Sequence, residues 1–178
     1  MTKGLNASGL KQIASASEAP IGSLYHHFPG GKDEIAAETL RVSGAAYQSL
    51  VEAVFDATDD IVDGVRDCFE GAAETLRVTD YADACPIATV ALEVASSDEP
   101  LRVVTAEIFE QWIGSATARL ERGGVDRASA RSLAIVLIAA LEGGFLLSRA
   151  AKDTTAMEAI RDALVELVAR ASGHSSVA

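Results

Sequence analysis

Apolar residues recur along this chain at intervals of three and four positions, the spacing of one face of an α-helix. The segment after residue 60, for example, places Ile61, Val65, Phe69 and Leu76 on a single helical face. No segment shows the sustained alternation of apolar and polar residues that indicates a half-buried strand. The pattern therefore predicts an all-α fold.

Residues that start and stop helices divide the chain into eight predicted helices. Their predicted extents, in numbers, are about 9–15, 20–27, 33–55, 59–76, 86–95, 99–122, 127–150 and 155–172. The predicted starts are capping side chains or early prolines, namely Ser8, Pro20, Thr58, Pro86, Asp98, Pro100, Asp126 and Thr154. Glycines and Pro29 follow several of the predicted ends, as expected where a helix stops.

The first two predicted helices are short and lie close together in sequence. Residues 16–19 connect them, and this length suits the tight turn of a helix-turn-helix. Leu24 and Phe28 stand four positions apart, so both are expected to face inward. Asp33 and Glu34 follow in the first turn of a long third helix, where acids complement the helix dipole.

The penultimate predicted helix is apolar on nearly every side. It carries Leu133, Ile135, Val136, Leu137, Ile138, Leu141, Phe145, Leu146 and Leu147. Such a helix needs cover all round, which favours a homodimer built from the last two helices. Burial at the centre of a monomer is the alternative. Glu142 interrupts the apolar run, which argues against a membrane span.

Composition adds a charge asymmetry to this picture. Apolar residues form 49% of the chain, enough for a substantial core, and the net charge is −11. Residues 1–48 hold four bases and four acids, so the whole negative excess lies after them. A neutral N-terminal part is compatible with a face that meets phosphate. The absence of an apolar leader near Met1, with only two cysteines, predicts a soluble cytoplasmic protein without a disulfide scaffold.

One segment carries a specific motif. It reads Ile13-Ala14, then Gly22-Ser23-Leu24-Tyr25-His26-His27-Phe28, then Pro29-Gly30-Gly31-Lys32. This resembles the DNA-binding signature of TetR-type transcriptional regulators, and its last part is typical of their LmrA/YxaF-like group. Cys85-Pro86 followed by Leu92-Glu93 resembles a second pattern of that group.

The resemblance implies a DNA-binding head over residues 1–48 and a ligand-binding and dimerisation body over residues 49–178. Its implied role is a repressor that leaves a palindromic double-stranded operator when a small apolar or aromatic effector binds. The second short helix would enter the major groove. The implied DNA contacts are Ser8, Lys11, Gly22, Ser23, Tyr25, His26 and Lys32.

Two departures from the family pattern affect the head. The family places a helix before the helix-turn-helix, and this sequence starts at about the point where that helix ends, so the head is expected to be shortened. Ile21 stands where the group usually carries a basic residue. The alternative function is therefore a ligand-binding dimer that lacks DNA-binding activity in this form.

The resemblance also implies a ligand pocket among the body helices. The candidate lining residues are Cys68, Phe69, Tyr81, Glu93, Phe109, Trp112, Glu142 and Phe145, with Gln111 as a further polar candidate. Aromatic residues packed only as core are the alternative interpretation. Glu142 is the leading polar candidate because a buried carboxylate needs a partner, although a hydrogen bond across a dimer interface would also supply one. Cys85 is interpreted as a small apolar side chain at a helix start, with a redox switch as the alternative.

Other functional classes have little support in the sequence. It holds no phosphate-binding loop, dinucleotide fingerprint or zinc spacing. A Ser/His/Asp triad would depend on His26, His27 or His174, which all lie near the ends of the chain. We therefore expect no enzyme activity, no cofactor, no metal and no membrane partner.

Overall fold

The computed structural model describes residues 14, 15, 17 and 20–173. The described residues contain seven complete α-helices and no strands. The helices are α1 (Ile21–His27), α2 (Lys32–Phe55), α3 (Ile61–Val78), α4 (Pro86–Val94), α5 (Glu99–Arg122), α6 (Arg127–Ala151) and α7 (Thr155–Ala171). The predicted all-α fold is confirmed, and the seven helices begin and end within a few residues of the predicted positions. Ala14 and Ser15 are also helical, and the rest of the helix predicted before them lies outside the described residues.

Local side-chain hydrogen bonds explain several helix starts. The Asp126 carboxylate accepts a hydrogen bond from the Ala128 amide at 3.0 Å, as predicted for the start of α6. Asp98 acts in the same way at α5, where it accepts from the Leu101 amide at 3.0 Å. Both carboxylates also lie at the positive end of the helix dipole.

Two predicted caps are wrong in detail. Asp60, not Thr58, caps α3 through a 2.7 Å hydrogen bond from the Val62 amide. The Thr58 hydroxyl instead accepts from the Asp60 amide at 3.1 Å, in a turn before the helix. Thr154 holds the N-cap position of α7, but its hydroxyl donates to Glu158 at 2.7 Å and satisfies no amide there. Each hydroxyl has a local partner that competes with the helix end.

The described residues group into two compact units. The first contains the described residues up to Ala46 together with Pro86–Phe109, and the second contains Tyr47–Cys85 together with the described residues from Glu110 onward. The proposed functional boundary after residue 48 remains a prediction.

The first unit has a small core of its own. Leu40 from α2 and Ile87 from α4 are buried, as are Leu101 and Ile108 from α5. Gly44 gives α2 a close approach to α5, because a Cβ atom at this position would lie 2.7 Å from the Ile108 Cγ2 atom. Even an alanine here would force the Ile108 side chain or the helix backbone to shift.

The second unit contains the larger core, in which α3, α6 and α7 pack against one another. Its buried centre includes Val65, Phe69, Leu76, Ala130, Ala134, Met157, Leu164 and Val168. Gly144 lets α6 approach α7, since a Cβ atom there would lie 2.7 Å from the Met157 sulfur. Among the described residues, α6 is also the one helix long and apolar enough to cross a membrane, and 28% of its most apolar window is buried in the protomer.

Replacing Leu76 with alanine is expected to lower the free energy of unfolding by about 2–5 kcal/mol, because Leu76 is fully buried and its truncation leaves a cavity. Urea denaturation at one fixed protein concentration measures the change. Val78→Ala is the matched control on α3, since Val78 is 71% exposed and its truncation should cost less than about 0.5 kcal/mol. Equal losses for both variants would contradict the placement of this core.

Candidate functional site

The short helix α1 presents an exposed face in the first unit. Gly22, Tyr25 and His26 are exposed, and Ser23 is half-buried. A Cβ atom added at Gly22 would meet nothing within 4 Å, so this side of the helix is open. The Leu24 and Phe28 side chains, predicted to face inward, are half-buried.

The turn between α1 and α2 brings Lys32 to the first position of α2. The turn is shaped by Gly31, whose φ of 70° suits glycine. The Glu34 carboxylate accepts a hydrogen bond from the Gly30 amide at 2.7 Å and so fixes the turn to the helix. Of the predicted DNA contacts, Ser8 and Lys11 lie outside the described residues.

The second unit contains a partly open cavity of about 90 Å³. A single water needs roughly 10–15 Å³ of such space, so the cavity has room for a small organic molecule. Its walls are mainly apolar and aromatic. The apolar lining residues are Tyr47, Val51, Phe55, Cys68, Phe69, Trp112, Ala116, Leu137, Ile138, Leu141 and Phe145.

One polar group in this lining centres on Glu142 of α6. The Cys85 thiol hydrogen-bonds the Glu142 carboxylate, and burial raises the pKa of Glu142 above its ordinary value. Burial also raises the pKa of Tyr47, with smaller contributions from the charges of Cys85, Asp83 and Glu142. A carboxyl, a phenol and a thiol therefore lie close together in this part of the wall.

The second polar group centres on Glu52 of α2. Its Oε1 atom accepts hydrogen bonds from Ser115 at 2.6 Å and from Gln48 at 2.9 Å, and these bonds hold the pKa of Glu52 below its ordinary value. Arg119 donates to the Ser115 hydroxyl at 2.7 Å and pairs with Asp56 through bonds of 3.1 and 2.6 Å. The network joins α2 to α5 within the second unit and satisfies its charges internally.

The structure brings five of the eight predicted ligand residues together. Cys68, Phe69, Trp112, Glu142 and Phe145 all line the cavity. Three do not line it: Tyr81 packs against the core of the second unit, while Glu93 and Phe109 belong to the first unit. Gln111 is exposed and is also absent from the lining.

Comparison with known proteins places the chain in a family. The model of the LmrA/YxaF-like transcriptional regulator C-terminal domain matches residues 61–163. The chain is 32% identical to the uncharacterized HTH-type transcriptional regulator YxaF of Bacillus subtilis, over 93% of this chain and 87% of that protein. The chain belongs to the TetR family of transcriptional regulators.

Two further comparisons agree with this TetR assignment. The chain is 30% identical to the HTH-type transcriptional regulator LmrA of Bacillus subtilis, over 94% of this chain and 89% of that protein. The fold is similar to the crystal structure of the regulatory protein TetR from Rhodobacter sphaeroides, with a TM-score of 0.79 and 16% identity over 93% of this chain and 90% of that one. The predicted membership of the LmrA/YxaF-like group is confirmed.

Sequence reasoning missed several cavity residues of this TetR protein. Tyr47, Val51 and Phe55 repeat every four positions on α2 and form one wall. Ser115 and Arg119 repeat in the same way on α5. This periodicity was visible in the sequence, but it equally fits a helix face packed in an ordinary core.

Proposed function

We propose that this TetR-family protein is a ligand-responsive repressor that binds a palindromic operator as a homodimer and leaves it when a small effector fills the cavity. The mostly apolar cavity with its two polar groups carries this proposal, because a mostly apolar site with a few placed polar groups is the usual form of a small-molecule site. The activity requires no enzyme chemistry and no cofactor, and its setting is cytoplasmic.

The DNA contacts are assigned to α1 and the start of α2. Gly22 allows close approach of the backbone, and Ser23 donates to a phosphate or a base edge. Tyr25 and His26 contact phosphates, while Lys32 adds positive charge at a helix N-terminus, where amides also favour anions. Ser8 and Lys11 complete the set as predicted backbone contacts.

The dimer is assigned to α6 and α7. The exposed apolar side chains of these helices are Ile135, Val136, Leu146, Leu147 and Leu167. Exposed apolar side chains are costly in water, and a second copy would cover them. A two-fold dimer then presents two copies of α1 to two half-sites of the operator.

The helix α2 supports a route from effector to DNA. Its first residue is Lys32, and its later turns carry Tyr47, Val51 and Phe55 of the cavity wall. An effector that binds better to the non-binding arrangement of the dimer shifts the population towards that arrangement. A preference of a few kcal/mol is sufficient for a large change in operator occupancy.

Fluorescence anisotropy with DNA from the region upstream of the protein's own gene tests the proposed operator binding. We expect specific binding that weakens steeply with salt, because each phosphate contact releases counterions. Weak binding that is equal for any sequence would instead support a ligand-binding dimer without DNA-binding activity.

Filling the cavity is expected to abolish the effector response. Ala116 lies in the cavity wall, so Ala116→Leu occupies ligand space while it leaves the DNA face unchanged. A panel of small aromatic compounds is titrated against the protein–DNA complex, and release is expected for the parent protein and not for Ala116→Leu. Ala118→Leu on the exposed side of α5 is the matched control and should release DNA normally. Release that persists in Ala116→Leu would place the effector elsewhere.

A further inference from the structure

The charges that line the cavity do not balance. The lining includes two carboxylates, Glu52 and Glu142, and among the described residues one base, Arg119. The Arg119 side chain is 14% exposed and is already shared by Glu52 at 3.4 Å and Asp56 at 2.6 Å. Its positive charge is therefore neutralised by Glu52 and Asp56. Glu142 makes no ion pair among the described residues.

Neutral hydrogen-bond donors are already present around Glu142. The Cys85 thiol bonds its carboxylate, and the Tyr47 phenol lies near enough for the charge of Glu142 to affect it. A thiol is a weak donor and neither group carries a compensating positive charge. A cation placed beside Glu142 would be stabilised there, because a desolvated carboxylate is costly unless it is paired.

The aromatic walls suit the same kind of ligand. Five rings line the cavity, from Tyr47, Phe55, Phe69, Trp112 and Phe145. The rings of Tyr47 and Trp112 lie 6.5 Å apart between centroids and are tilted by 33°. Aromatic faces attract cations, and they do so more strongly when the cation has left water.

We propose that the cavity selects an apolar organic monocation, a quaternary or protonated tertiary ammonium, whose charge lies beside Glu142 and whose apolar part packs against the aromatic walls. This inference rests on the proposed function, because it names the chemical class of the effector for the same cavity. A hydrophobic cation pairs with the Glu142 carboxylate and fills the apolar space, whereas a neutral aromatic molecule does only the second.

A pair of probes with matched shapes isolates the charge. Benzyltrimethylammonium and neopentylbenzene differ by the exchange of N⁺ for carbon at the branch point. Trp112 is the only tryptophan of the chain and lines the cavity, so its fluorescence reports binding without a label. We expect the cation to bind at least about tenfold more tightly than its neutral analogue.

A conservative substitution connects that preference to one carboxylate. Glu142→Gln keeps the volume and removes the charge, so it should abolish the preference for the cation and leave the affinity for neopentylbenzene nearly unchanged. Glu74→Gln removes an exposed acid on α3 that pairs with Arg77 at 3.3 Å, and this control should retain the preference. Circular dichroism and thermal unfolding verify that both variants are folded.

The outcomes separate this inference from the proposed function. A cation preference that is lost only in Glu142→Gln supports the inference. Equal or tighter binding of neopentylbenzene to the parent protein overturns it and leaves the cavity as a site for neutral effectors. A preference that survives in Glu142→Gln also overturns it. Failure of both probes to perturb Trp112 overturns the inference and counts against the cavity as an effector site.

Discussion

Replacing Gly22 with aspartate is expected to lower operator affinity by at least about a hundredfold, because a carboxylate on the exposed face of α1 would meet the phosphates that this face is proposed to contact, and such like-charge contacts cost several kcal/mol. The added side chain has open space around it, since a Cβ atom at Gly22 meets nothing within 4 Å. The loss therefore reflects the DNA contact and not a failure to fold. Anisotropy with labelled operator at one salt concentration measures it.

Gly71→Asp is the matched control for this experiment. Gly71 is an exposed helical glycine on α3 with nothing within 4 Å of an added Cβ atom, and it lies in the second unit. This variant carries the same charge change and should bind the operator almost as the parent does. Both variants should remain dimers in light scattering. Operator binding that survives in Gly22→Asp would contradict the assignment of α1 as the reading helix.

Replacing Leu146 with glutamate is expected to convert the proposed dimer to monomers at concentrations where the parent protein is dimeric. Leu146 is 68% exposed in the protomer, so the change leaves the protomer core intact. In a two-fold interface the substitution occurs twice, and each unpaired buried carboxylate costs on the order of several kcal/mol. Sedimentation equilibrium over a concentration series measures the shift in the dissociation constant.

Leu92→Glu provides the control for the dimer. Leu92 is 83% exposed on α4, outside the apolar surface of α6 and α7, so this variant should remain dimeric. Operator affinity should fall with Leu146→Glu alone, because a monomer contacts one half-site. A Leu146→Glu protein that remains dimeric would move the interface away from α6.

The helices were largely predictable from the sequence because their determinants are local. Asp126 and Asp98 cap α6 and α5 as expected, through bonds to amides two or three residues ahead. The apolar spacing after residue 60 places Val65, Phe69 and Leu76 in the buried core. The incorrect caps show the limit of local reasoning, since Thr58 and Asp60 both offer a side-chain oxygen close to the start of α3 and only Asp60 accepts from an amide of the helix.

The cavity was only partly predictable because its lining is a property of packing between distant segments. Aromatic residues such as Phe69 and Trp112 were selected by type, and they do line the cavity. Selection by type also chose Tyr81 and Phe109, which do not line it. Arg119 was missed because nothing in the sequence shows that it pairs with Asp56, which lies 63 positions earlier in the chain. Only the fold brings these two residues within a hydrogen bond.

The two cysteines in the cavity wall allow transient opening of the native structure to be measured through the reactivity of their thiols. Burial raises the pKa of the Cys68 thiol to about 12, so its reactive thiolate is almost absent at neutral pH. The Cys68 residue is half-buried, and Cys85 is buried. An alkylating reagent is then expected to reach the buried Cys85 thiol during transient openings of the structure, and the rate of Cys85 modification reports how often they occur. A bound molecule that stabilises the cavity walls should slow this reaction in proportion to its occupancy. The rate of alkylation therefore measures how often the native structure opens.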